Sequence, residues 1–139
     1  MTSEVTINGN DLWSVFGGRL AKGSYEKLLS PAQMKDYISN ESRLEHGKRI
    51  MVRNPRTESR DIQLQIFIEG KDENSYLSNY KLFINELQKG EISLGVKKLK
   101  TIYNFVYTGC SSYGDYGLKR GKFTVKFTEP DVTNRQTMQ

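Results

Sequence analysis

The chain of 139 residues carries one histidine, His46, and one cysteine, Cys110. A zinc site draws on about four Cys, His or acidic ligands at close spacing, so this supply points to no metal. A Cys–His pair for nucleophilic chemistry would exist only if the fold joined positions 46 and 110. A lone cysteine also leaves no internal disulfide to form. Glycines occur at Gly17-Gly18-Arg19 and between Gly114 and Gly121, but without the lysine and serine spacing of a phosphate-binding loop. Asp61 and Glu69 sit in one strand-like run, yet a chain with 16 acidic residues offers such pairs by chance. No apolar run approaches the roughly 20 residues of a membrane-spanning helix. The opening MTSEVTINGNDLW lacks the basic start and apolar core of a signal peptide. The expectation is a chain with no catalytic residues, cofactor, metal or membrane anchor.

What is present is charge and aromatics. Twenty-one basic residues stand against 16 acidic ones, for a net charge of +5. Hydrophobic residues make up 36%, a low share for a compact domain, which leaves room for projecting arms or for a surface meant to meet a partner. Eight Tyr and six Phe are too many for a disordered segment. The length suits one domain.

Alternation and turn signals sketch the elements. Val5 to Ile7 reads as a strand, Asn8-Gly9 as a tight hairpin turn, and Leu12 to Phe16 as the returning strand. Gly17-Gly18 breaks the ribbon. Ser30 and Pro31 suggest a helix start, with Ala32 to Tyr37 as one or two turns. Arg49 to Arg53 and Arg60 to Glu69 read as a hairpin around a loop at 54–59. Ile62, Leu64, Ile66 and Ile68 share the inner face of the second strand. Asp72 with Ser75 predicts the start of a helix over about 72–88, and Lys89-Gly90 predicts its end. Its apolar stripe is Leu77, Tyr80, Ile84 and Leu87, widened by Tyr76 and Phe83. Strands follow at 92–96, 99–107 and 118–127, with a loop at 108–117. Residues 131–139 have no pattern and read as a flexible tail after a single domain at 1–130. The fold class expected is mainly β (α+β): an antiparallel β-sandwich or open barrel with one flanking helix and a projecting hairpin.

Two surfaces are candidates for function. The segment with Arg43, Lys48, Arg49, Arg53, Arg56 and Arg60 is a basic hairpin able to reach a neighbouring subunit. Tyr103, Phe105 and Tyr107, with Lys119, Arg120 and Lys122, form an alternative: a sheet face that stacks bases and neutralises phosphates, as single-strand binders do. The bland reading of the second set is a sheet core with a solvated rim.

The order of these stretches resembles the N-terminal domain of phage and prophage distal tail proteins and the related tail-tube fold. The stretches that carry the resemblance are Val5 to Gly9, Gly23 to Glu26, Leu28 to Pro31, Ser42 to Arg49, Asn54 to Arg56, Ser59 to Leu64, the helix with Gly90, and Gly117 to Phe123. Together they run over residues 4 to 130. The resemblance implies structural work: a hexameric ring of identical subunits at the junction of tail tube and baseplate, in contact with other tail or baseplate proteins. DNA would pass through the channel without specific binding. The place implied is the virion tail, with the bacterial cytoplasm as the site of assembly. The second, carbohydrate-module-like domain that some larger family members carry is not expected in this chain.

Overall fold

The computed structural model describes residues 5–34, 38–41, 48–51 and 57–137, with the backbone alone at 38–41 and 48–51. In chain order the first elements are β1 (Val5–Ile7), β2 (Asn10–Asp11), α1 (Leu12–Phe16), β3 (Gly18–Leu20) and α2 (Ser24–Leu29). A separate pair follows, β4 (Ile38–Glu41) and β5 (Lys48–Met51). Then come β6 (Arg60–Glu69), α3 (Glu73–Leu87), β7 (Glu91–Val96), β8 (Thr101–Tyr116), β9 (Arg120–Glu129) and β10 (Gln136–Thr137).

The main sheet is antiparallel in the order β2-β1-β7-β8-β9-β6-β3, with β10 added to β8. Its two border strands, β2 and β3, are joined directly by the five residues of α1 and Gly17. A flat sheet of seven strands would put those borders about 29 Å apart. A five-residue helix rises only about 7.5 Å. The sheet therefore curls into an open barrel, and α1 bridges the gap. Leu12 and Phe16 of α1 enter the same core as Ile7, Leu64, Ile68, Leu94, Val125 and Phe127. The expected mainly-β class and open-barrel architecture are what the chain forms.

Local chemistry explains where the reading of single elements fails. Leu12–Phe16 is a helix, not a returning strand. Asp11 accepts a hydrogen bond from the Ser14 amide at 2.8 Å, and Gly17 closes the helix in the left-handed region at φ 64. A side chain at Gly17 would also strike the Glu69 carbonyl, 2.5 Å from its ideal Cβ. The second helix lies before Pro31 rather than after it: α2 is Ser24–Leu29, and Ser30 leaves it in extended conformation. Pro31 stops this helix because the residue before a proline is driven out of helical space. Of the expected turns at 32–37, residues 35–37 lie outside the described residues.

The expected hairpin of Arg49–Arg53 with Arg60–Glu69 is also corrected. β5 pairs with β4, and β6 is a central strand between β3 and β9. β8 continues through the expected loop to Tyr116, because β9 supplies a ladder to the end and two register shifts absorb the surplus residues. The expected flexible tail is folded back as far as β10, which pairs Gln136 and Thr137 with Ile102 and Thr101.

The α3 start is as expected, with Asp72 accepting from the Ser75 amide at 2.8 Å. Its buried line is rotated from the expected one. Tyr76, Phe83 and Leu87 are buried, whereas Leu77 is 41% exposed. The rotation seats Phe83 between Phe16 and Phe123, at 6.2 and 5.2 Å between ring centres. It also brings the Tyr76 hydroxyl 2.6 Å from that of Tyr113.

The Asn8-Gly9 turn is tied to the end of α3. Asn8 adopts φ 51 and Gly9 φ 84, as a two-residue hairpin turn requires. Asn8 Nδ2 donates to Glu86 Oε2 at 2.8 Å, and Asn8 Oδ1 accepts from the Ser93 amide at 2.8 Å. Asn10 Nδ2 donates to Glu86 Oε1 at 3.3 Å, and Lys89 Nζ sits 2.9 Å from Oε2. Burial acts to raise the pKa of this carboxyl, but the Asn8, Lys89 and Asn10 contacts outweigh it and hold Glu86 below the usual glutamate value.

Candidate assembly interface

The sheet presents an inner face to the core and an outer face to solvent, and the candidate residues divide between them. Tyr103 and Phe105 are each 2% exposed, stacked on one another with ring centres 5.6 Å apart. Tyr107 is half-buried against Phe127. Bases cannot stack on these rings, so the proposed aromatic nucleic-acid face is corrected to a core. Arg120 and Lys122 alternate outward on β9, on the opposite side of the sheet from that core. Lys119 lies in the exposed turn before β9.

Arg60 is corrected too: it is not part of a solvent-facing hairpin. It shares the inward phase of β6 with Ile62 and is 6% exposed. Its Nη1 donates to the carbonyls of Lys27, Leu28 and Ser30, closing the end of α2. Its Nη2 lies 3.0 Å from Glu129 Oε1, in an ion pair without the alignment of a hydrogen bond. Glu129 is fully buried and takes two further bonds from Arg135, at 2.8 Å from Nε and 2.9 Å from Nη2. Those bonds raise the Arg135 pKa, against a smaller opposing effect of burial. Arg60 and Arg135 also approach the Tyr103 ring, at 5.9 and 5.0 Å from its centre. Burial pushes the Tyr103 hydroxyl up, and the two guanidinium groups draw it partly back. This cluster clamps the C-terminal segment onto the barrel. The signal for it was the strand phase: Arg60 and Glu129 each fall on the apolar parity of their strands.

Of the other basic candidates, Lys48 and Arg49 lie on β5 and are described by their backbone alone, while Arg43, Arg53 and Arg56 lie outside the described residues, as does His46. The β4–β5 pair forms a sheet of its own, with Ile38 opposite Met51 and Glu41 opposite Lys48. A single bridge between Met34 and Thr57 closes the base of this ribbon.

The outer face carries a cluster that strand-by-strand reading missed. Phe67 on β6 lies opposite Arg19 on β3 and Lys122 on β9. The charged groups of Arg19, Arg120 and Lys122 all approach its ring, at 5.6, 5.3 and 5.9 Å. Arg120 also lies 4.9 Å from the centre of the Tyr116 ring. The signal in the sequence was Phe67 itself, an aromatic on the polar phase of its strand. Beyond Val106, β8 pairs only with β9 among the described residues. Among the described residues its far edge is an open border, and open strand borders are natural sites of association.

Among the described residues, no group of three or more His, Cys, Asp or Glu side chains is placed to hold a metal ion. Cys110 is exposed and its Sγ donates to the Ser112 carbonyl at 3.1 Å. No helix among the described residues is long and apolar enough to cross a membrane.

No protein-family model matches the chain, and no curated protein matches it. Among solved structures, the fold is similar to that of the Dit protein of SPP1, reported as a paradigm of the hub adsorption apparatus in phages that infect Gram-positive bacteria. The match has a TM-score of 0.56 at 15% sequence identity and covers 89% of this chain. The chain spans 48% of the length of that protein. At this identity the likeness is one of fold.

Proposed function

We propose that this chain is a structural component of a phage tail, of the distal-tail or hub type, whose work is to assemble with copies of itself. In this reading six copies close a ring around a channel that DNA passes through without specific binding. Other tail or baseplate proteins contact the ring, and the assembly resides in the virion tail after forming in the bacterial cytoplasm. The role is one of shape rather than catalysis.

The observation that carries the proposal is the fold likeness to a phage hub protein along nearly the whole chain. The β4–β5 ribbon supports it physically. It is hydrogen-bonded as a two-stranded unit outside the main sheet, and an isolated pair of strands is marginal in water. A ring needs heterologous contacts, in which one surface meets a different surface of the next copy. The ribbon is suited to supply one of them. Electron microscopy of the purified chain tests the reading. Ring-shaped particles with a central hole are expected, and they should be lost when residues 38–51 are replaced by a short Gly-Ser linker. Particles without rotational symmetry in the unaltered chain would refute it.

A further inference from the structure

The far edge of β8 and the cation cluster around Phe67 meet on one side of the sheet. From Ser112 to Tyr116 the register of β8 against β9 is unbroken, so its backbone is regular strand. Its other edge has no strand partner among the described residues. One cross-strand row runs from Arg19 through Phe67 and Lys122 to Gly114, ending at that open edge. The next row runs from Glu69 through Arg120 to Tyr116.

Three cations are thus gathered on one ring. The carboxylate set against them is Glu69, 3.7 Å from Arg19 Nε. Asp115 is engaged in the following turn, where it accepts from the Leu118 amide at 3.1 Å. Asp61 is at the other end of β6, bonded to Thr128 at 2.6 Å. Among the described residues the cluster therefore sets three cations against one paired carboxylate, a local excess of positive charge. Stacking on Phe67 and Tyr116 fixes the guanidinium of Arg120 in place before any partner arrives.

We propose that this edge docks an extended acidic segment of a partner polypeptide. The strand would add to Ser112–Tyr116 through backbone hydrogen bonds, as in other β-augmentation. Its outward side chain opposite Gly114 would face Lys122 across a position with no side chain. An ideal Cβ at Gly114 meets nothing nearer than the Tyr116 ring at 3.9 Å. Two strand spacings, about 9.6 Å, separate β9 from the added strand. A lysine and a glutamate together can span that distance. Charge complementarity selects acidic partners, and the open edge selects extended ones. A nucleic acid fits less well: Phe67 and Tyr116 already carry cations, and the basic row is too short to track a phosphate backbone. The proposal stands independently of the tail reading.

The test is NMR titration of the full chain with an octapeptide that alternates glutamate and threonine. The expected result is amide shifts at 112–116, with affinity falling at least about tenfold in the R120Q/K122Q double variant and on raising salt from about 0.05 to about 0.5 M. Lys126→Gln, on the same strand face but outside the cluster, should leave affinity unchanged. Thermal melts of the variants confirm that they fold. No binding, equal binding of a lysine–threonine peptide, or shifts confined to other residues would overturn the proposal. Tighter binding of oligothymidylate at the same residues would overturn it in favour of a nucleic acid. Protection of 112–116 that grows with protein concentration in the absence of peptide would assign the edge to a second copy and equally overturn it.

Discussion

Glu129→Gln is expected to be among the most damaging single-atom exchanges in this chain. The carboxylate is fully buried, takes two hydrogen bonds from Arg135, and lies 3.0 Å from Arg60 Nη2. Its removal leaves the Arg60 charge, 6% exposed, without a counter-charge. Breaking one side of a buried ion pair costs about 3–5 kcal/mol. For a domain of this size the unfolding entropy near the midpoint is about 0.3 kcal/mol per kelvin, so the melting temperature should fall by roughly 10 °C or more. Arg135→Gln should cost less, about 1–2 kcal/mol, because Arg135 keeps partial access to water and Arg60 still faces Glu129. Replacing Arg60 and Glu129 together by methionine should recover part of the loss, since the charge this leaves without its partner, Arg135, keeps partial access to water. Urea unfolding followed by circular dichroism measures all four proteins. A Glu129→Gln loss below about 1 kcal/mol would refute the reasoning. So would a double replacement more damaging than Glu129→Gln alone.

Two further predictions concern the other buried polar contacts. Asn8→Ala puts a residue poorly suited to positive φ in the hairpin turn and strips Glu86 of its closest amide donor; a loss of about 2–3 kcal/mol is expected in the same unfolding assay. Because the folded-state pKa of Glu86 is depressed, its contribution is fully present above the unfolded value near 4.5 and drains away as pH falls through the lower folded value. The Asn8→Ala protein should therefore show a shallower acid limb than the unaltered chain. Tyr76 behaves in the opposite sense: burial first, then the Tyr113 hydroxyl, push its pKa well above the ordinary 10. Its contribution is fully present below pH 10 and is lost as pH rises towards the folded value, so Tyr76→Phe should flatten the alkaline limb of a stability profile. An unchanged alkaline limb would contradict the assignment.

The sequence displayed the parts of the fold that local rules decide. The alternation of Ile62 to Ile68, the Asp72–Ser75 cap and the Asn8-Gly9 turn each act over a few residues, and each is found where expected. At Leu12–Phe16 a strand is expected because four apolar residues around one serine are too few to carry a period that separates strand from helix. The deciding cues were the flanking Asp11 and Gly17. A loop is expected at 108–117 because Gly, Ser and Asp favour turns, while β9 imposes strand as far as Tyr116 from outside the segment. The candidate surfaces were less legible. A run of charges looks alike whether its members face solvent or a buried partner, and Arg60 finds Glu129 only through the fold. The Phe67 cluster draws on three strands far apart in the chain, so no single window contains it.

The central claim, that copies of this chain build a closed assembly, is tested most directly by light scattering on the purified protein over a wide concentration range. The account predicts a stable particle of six 16.0 kDa chains whose mass does not change on dilution. A mass of one chain at every concentration would contradict it.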